Sequence, residues 1–277
     1  MIGAIIGDIV GSRFEFENIK SREFEFFVDR PASKKSFFTD DTVLTVAIAN
    51  IVLDDDFSEE NITKRLRGWA LNHRSLGYGI SFMSQFVLNP NPKPYNSMGN
   101  GSAMRINPIA HYYDNWEEIE DKTIKCTQIT HNHPEGIKGA LAVSRSIYLA
   151  KQKKSKEEIK ADISALYGYN LNRRLDDIQP LYCFEETCPK SVPEAIICFL
   201  ESNDYESTIR NCMYLGGDCD TTSAIAGSIA EAYYGVSDEV LKEVFKRDIL
   251  TDDIKEIISE FYKRKPEHDK NCEKYNN

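Results

Sequence analysis

Two acidic clusters hold the chemistry this sequence can do: TDDT at Thr39–Thr42 and GGDCDTT at Gly216–Thr222. Each is bracketed by hydroxyls and runs at once into a stretch that reads as a buried helix. Val43–Leu53 is almost wholly apolar, and Ser223–Tyr234 is built from residues small enough for close helix approach. Both clusters therefore fall at helix N-termini. There carboxylates accept from free backbone N–H groups, and the positive end of the helix dipole helps hold several negative charges together. The competing reading is a pair of ordinary N-caps. A helix needs one capping side chain, however, so at least two of Asp40, Asp41, Asp218 and Asp220 have no capping task. Carboxylate and hydroxyl oxygens without Cys or His partners favour a hard ion, magnesium or manganese, over zinc.

The elements that must position these clusters read as helices, over 2–12, 40–54, 58–72, 79–88, 101–111, 116–130, 134–152, 155–167, 191–201, 204–214, 220–235, 238–247 and 252–264. The best strand candidate, Arg22–Val28, reads equally as an extended loop, and 170–193 carries the Pro and Cys of a long packed loop. The fold class is all-α. Gly136 and Gly139 on a buried-looking face suit tight orthogonal packing better than a regular bundle. No stretch reads as a linker, so residues 1–277 are expected to form one domain.

A net charge of −10 over 277 residues argues against a general nucleic-acid or membrane-surface binder. No run approaches the ~18 apolar residues of a membrane span, and a cytoplasmic location is expected. The seven Cys show no C-x-x-C pair, which points to buried small hydrophobes rather than a disulfide framework; Cys183 and Cys188 are the one nearby pair.

Three further motifs invite chemistry. GNGSAMR (Gly99–Arg105) can present free N–H groups from Gly99, Asn100, Gly101 and Ser102 to a diphosphate, although a plain Gly-rich helix start has the same look. Arg105 either adds positive charge there or pairs with a buried acid. His131 and His133 form an H-x-H pair that lacks a third ligand for zinc, and His133 before Pro134 reads as a helix entry.

Together GAIIGDIVGSRFE (Gly3–Glu15), FTDDT (Phe38–Thr42), GNGSAMR, THNHPEG (Thr130–Gly136) and GGDCDTTSAIAG (Gly216–Gly227) resemble the ADP-ribosylglycohydrolase family. The resemblance implies a compact fold of about a dozen helices and a cleft holding two magnesium or manganese ions. It implies that Thr39, Asp40 and Asp41 form one half of the metal shell and Asp218, Asp220 and Thr221 the other. Cys219 departs from the Ser or Thr more usual between those aspartates. Glu15, with Glu17 as a neighbouring alternative, matches the family's mobile acidic residue, and Glu15, Asp41 and Asp218 are the expected catalytic groups. Gly99–Ser102 would cradle the pyrophosphate, and His131 would line the ADP-ribose site. Asp8 either orients metal ligands from behind or bonds the end of its own helix. The implied activity is hydrolysis of ADP-ribose from an acceptor, protein arginine first, with an ADP-ribosylated protein or a small ADP-ribose conjugate as partner. Two other readings are a silent ADP-ribose-binding or crystallin-like relative and a metal-dependent phosphatase. The oligomeric state is left open.

Overall fold

The structure is a computed structural model that describes residues 1–31 and 35–265. Among them the chain forms fourteen α-helices and no strand: α1 Ile2–Gly11, α2 Asp40–Asp54, α3 Glu59–Asn72, α4 Gly101–Arg105, α5 Asn107–Tyr112, α6 Trp116–Gln128, α7 Pro134–Lys151, α8 Lys156–Tyr167, α9 Leu175–Ile178, α10 Cys188–Leu200, α11 Tyr205–Leu215, α12 Cys219–Tyr234, α13 Asp238–Lys246 and α14 Asp252–Arg264. Arg22–Val28 is coil, and the sole ladder contact among the described residues is an isolated bridge between Gly99 and Thr187.

Where the structure departs from the expected elements, the local chemistry explains most of it. The single helix expected over 101–111 is two, because Pro108 has no N–H for the Met104 carbonyl; the Asn107 side chain donates to that carbonyl instead, at 3.2 Å. Residues 79–88 are mainly a π-helical turn, Phe82–Val87, a geometry enriched at functional sites. The expected loop 170–193 contains α9 and the start of α10, whose Pro189 sits in the first turn, where its missing N–H costs nothing. Cys183 and Cys188 are free thiols, Cys188 buried; Cys272 lies outside the described residues.

The core is organised on α1 and α12, which lie antiparallel with backbones in contact. A Cβ added at Gly3 would fall 2.5 Å from the Gly227 carbonyl oxygen, one at Gly7 2.2 Å from that of Ser223, and one at Gly11 2.5 Å from that of Cys219. A Gly at every fourth position of α1 thus faces a small-residue stripe on α12. Such contact brings the C-terminal end of α1 directly to the N-terminus of α12. Helix α2, apolar on its inward side from Val43 to Val52 except for Thr45, packs against α1, α3, α4, α5 and α14 and brings its own N-terminus to the same place.

Candidate metal centre and cleft

The capping of α2 is done from outside the helix. Asp8 of α1, fully buried, accepts from the backbone N–H of Thr39 at 2.9 Å and of Thr42 at 3.1 Å, and from the hydroxyls of both threonines, at 2.8 Å for Thr39. Of the two roles open for Asp8 it takes the one behind the acidic cluster, not a bond to its own helix end. Thr39 adds a weaker cap by accepting from the Asp41 N–H at 3.3 Å. With both tasks done by Asp8 and Thr39, neither Asp40 nor Asp41 is spent as a cap.

At α12 the two consecutive glycines Gly216 and Gly217, both at positive φ, turn the chain into Asp218. Asp218 holds the N-cap position yet makes no side-chain cap bond; it accepts from the Asn100 amide at 2.7 Å. The two helix ends are tied by one side-chain bond, Thr221 Oγ1 donating to Asp41 Oδ2 at 3.1 Å. Asp41 Oδ1 is buried and has no partner among the described residues. Glu15, in the turn after α1, joins this group: its carboxylate and those of Asp218 and Asp220 present oxygens within 4.8 Å of one another. Glu17, exposed, does not.

Burial and mutual repulsion act in the same direction on these acids. Burial first, and then the charge of Asp220, push Asp40 and Asp41 well above the ordinary carboxylate range, and burial with the charge of Asp218 does the same to Asp220. Asp218 is raised to about 6 by burial, and Glu15, only half-buried, to about 8 by burial and its approach to Asp220. Like charges at this density cannot all ionise unless a cation joins them. The donor set, acidic and hydroxyl oxygens with one buried oxygen left unpartnered, fits a hard divalent ion.

Asp40, Asp41, Glu15, Asp218, Asp220 and Thr221 line a cleft of about 530 Å³. Gly99, Asn100, Gly101 and His131 line it too. The GNGSAMR segment is fastened to the loop before α10, with the Asn100 N–H on the Glu186 carbonyl at 2.8 Å and the Cys188 N–H on the Met98 carbonyl at 2.9 Å. Gly99 donates to Ser97 Oγ, so at most the amides of Gly101 and Ser102 remain for an anion. Thr39 and Ser102 are not among the residues lining the cleft, and the Ser102 hydroxyl donates to the Gly136 carbonyl at 3.0 Å. His133 is a helix cap, accepting from the Glu135 N–H at 3.1 Å. The ADP-ribosylglycohydrolase family model matches residues 1–271. The chain belongs to this family.

Among its relatives, human ADP-ribosylhydrolase ARH3 is 26% identical, with 85% of this chain and 84% of that protein covered. The ADP-ribosyl-[dinitrogen reductase] glycohydrolase of Rhodospirillum rubrum is 22% identical, covering 86% of this chain and 85% of its own. A solved ADP-ribosylglycohydrolase-related protein complex superposes with a TM-score of 0.67 at 21% identity, covering 92% of this chain and 89% of that one, and this likeness bears on the fold. The family's helical architecture is therefore the architecture seen here.

Within that frame the departure at Cys219 is harmless to the cleft. The residue is buried, lines no part of it, and burial keeps its thiol protonated. Arg105 lines the cleft beside the Gly-rich segment and so places positive charge there; it is fully buried, its Nη2 donates to Thr130 Oγ1 at 2.8 Å, and it pairs with no carboxylate among the described residues. The rim is built from Tyr78–Phe82 and Tyr95. His73 turns away to Asp253 at 3.0 Å. The sequence reading missed Phe16, Phe184 and Glu186. Phe16 and Phe184 stack with centroids 5.8 Å apart beside Glu15, and nothing short of the Gly99–Thr187 bridge would have placed the second loop there.

Proposed function

We propose that this chain is a metal-dependent hydrolase that frees ADP-ribose from a modified acceptor by cleaving the glycosidic bond of the distal ribose, with protein arginine as the acceptor. The observation that carries the reading is the freedom of the acidic oxygens: Asp8 and Thr39 cap α2, and Asp41 Oδ1 is buried without a partner among the described residues. Thr39, Asp40, Asp41, Asp218, Asp220 and Thr221 would hold two magnesium or manganese ions. When bound, such ions supply positive charge that binds a sugar diol and polarises water.

The residues of the chain do the rest. Cleavage develops positive charge at the anomeric carbon, and the carboxylates of Asp41 and Asp218 stabilise it. Glu15 stands partly exposed in the cleft, with its carboxyl raised to about 8 by burial and by Asp220, as suits a group that gives a proton to the departing acceptor and takes one from water. The amides of Gly101 and Ser102 and the side chain of His131 would hold the diphosphate and ribose. Arginine is favoured by the rim: the stacked Phe16 and Phe184 with the Glu186 carboxylate suit a planar cation, which stacks on aromatic faces and pairs with carboxylates.

The test is release of free ADP-ribose from arginine- and serine-ADP-ribosylated proteins with magnesium, with manganese and with chelator, beside Asp40→Asn. Metal-dependent release from the arginine conjugate, lost in the variant, is the expected result. Release that survives in Asp40→Asn would remove the site assignment, and release from the serine conjugate alone would overturn the acceptor.

A further inference from the structure

Asn100 is the one residue of the Gly99–Gly101 turn that carries a side chain, and that side chain leaves its own turn. It holds the N-cap position of α4, where an Asn usually accepts from a backbone N–H of its own helix, yet it makes no cap bond. Its amide nitrogen donates instead to Asp218 Oδ2 at 2.7 Å, with both residues buried. The carboxylate settles which end of the amide faces it, since only the nitrogen can donate. The Asn100 backbone is held on both sides: its N–H donates to the Glu186 carbonyl at 2.8 Å, and its carbonyl accepts from the N–H groups of Ala103 and Met104 at 2.8 and 3.0 Å. Asp218 follows two glycines at positive φ and makes no side-chain cap bond to α12. The amide that orients its carboxylate thus comes from another helix, 118 positions away in sequence.

An uncharged donor suits this place. A Lys or Arg would neutralise Asp218 and compete with a cation, whereas an amide directs the carboxylate and leaves its charge. Oxygens of Glu15, Asp218 and Asp220 lie within 4.8 Å of one another, a spacing that mutual repulsion would widen if the side chains turned freely. We propose that Asn100 is a positioning residue of the candidate metal centre, which acts through Asp218 by fixing its carboxylate where Glu15 and Asp220 converge with it. The proposal rests on the metal reading above and extends it to a residue of the Gly-rich turn.

The experiment is a double-mutant cycle on the full chain, read as manganese affinity from the paramagnetic resonance signal of the free ion, with calorimetric unfolding of each metal-free variant as the fold control. Asn100→Ala should lower manganese affinity by about 10–100-fold, the range for removing a hydrogen bond to a metal ligand. Asp218→Ala should lower it as well, and Asn100→Ala added to Asp218→Ala should lower it no further, because the amide then has nothing to orient. If Asn100→Ala does not fold, Asn100→Ser, which keeps a favoured N-cap residue on a shorter side chain, takes its place in the cycle. Wild-type affinity in a folded Asn100 variant, or the same loss with and without Asp218, would overturn the proposal and leave the metal reading standing. A wild type that binds neither manganese nor, by calorimetry, magnesium would sink the metal reading and this proposal with it.

Discussion

Gly7→Ala puts the packing argument at risk most directly. The added Cβ would lie 2.2 Å from the Ser223 carbonyl oxygen and 2.5 Å from its carbonyl carbon, both backbone atoms of α12 that cannot rotate away. An ordinary contact of about 3.5 Å then requires α1 and α12 to part by more than about 1 Å. Overpacking costs about 1–3 kcal/mol where side chains can adjust, and here the upper end applies because only helices can move. The better helix propensity of Ala returns at most about 1 kcal/mol, which leaves a net loss of about 2 kcal/mol. At about 2–4 °C per kcal/mol for a chain of this size, Tm should fall by about 4–8 °C. The site should suffer more than the fold, because a shift of this size exceeds what the 3.1 Å Thr221–Asp41 bond tolerates. Gly68→Ala in α3 is the control: nothing lies within 4 Å of its Cβ, so it should gain about 0.5–1 kcal/mol. Calorimetric unfolding of both variants with a metal-binding titration decides the matter. A Gly7→Ala protein as stable as wild type, or stabilised like Gly68→Ala, would refute the backbone-contact geometry.

Three other outcomes are expected. Asp41→Asn removes one of the crowded carboxylates, so the metal-free protein should melt no lower than wild type while its stabilisation by added magnesium and its turnover disappear; scanning calorimetry with and without magnesium reads both. In metal-free protein the folded-state pKa values of Asp8 and Asp218, about 6, and of Glu15, about 8, lie above their ordinary values of 3.8 and 4.5. The folded state then binds more protons than the unfolded one, so Tm should fall as pH rises through 6 and on to 8, and a Tm that rises over this window contradicts the placement of these acids. Phe184→Ala with Glu186→Gln should lower kcat/KM for an arginine-linked substrate by about tenfold, from loss of a cation–π contact and a charge-assisted bond, and leave ADP-ribose affinity unchanged.

Local signals told most where one side chain decides one element. Ser58, Asn115, Ser155 and Ser237 each cap the helix they precede, and helix boundaries there agree with the pattern to within a residue or two. The acidic clusters were legible for the same reason, since more carboxylates stand at two helix starts than two caps require. What the pattern could not show is who supplies the cap. The Thr39 hydroxyl donates to Asp8, thirty-one positions away in sequence, and that pairing exists only once α1 lies across the start of α2. Glu186 and Phe184 were illegible for a like reason: their place depends on a two-residue antiparallel contact between distant loops, which leaves no periodic trace. Arg105 could be seen in sequence, but the lack of a carboxylate partner is a property of its surroundings.

The same contacts explain why the acids stay crowded. Carboxylates this close repel, and a free loop would relax by swinging them apart. Here Asp40, Asp41, Asp218 and Asp220 sit at the starts of two buried helices, and those helices cannot separate from α1: α1 and α12 touch backbone to backbone at Gly3, Gly7 and Gly11, and Asp8 of α1 grips the first turn of α2 through both amides and both hydroxyls of Thr39 and Thr42. One helix thus sets both halves of the site, using its glycine face for α12 and Asp8 for α2. It follows that Asp8→Asn, which alters no oxygen in the cleft, should weaken metal binding as much as loss of a ligand does. An amide can satisfy two of the four donors at most with its single oxygen, so the start of α2 should loosen and carry Asp40 and Asp41 with it. Near wild-type metal affinity in a folded Asp8→Asn protein would mean that α2 holds its acids without help from α1.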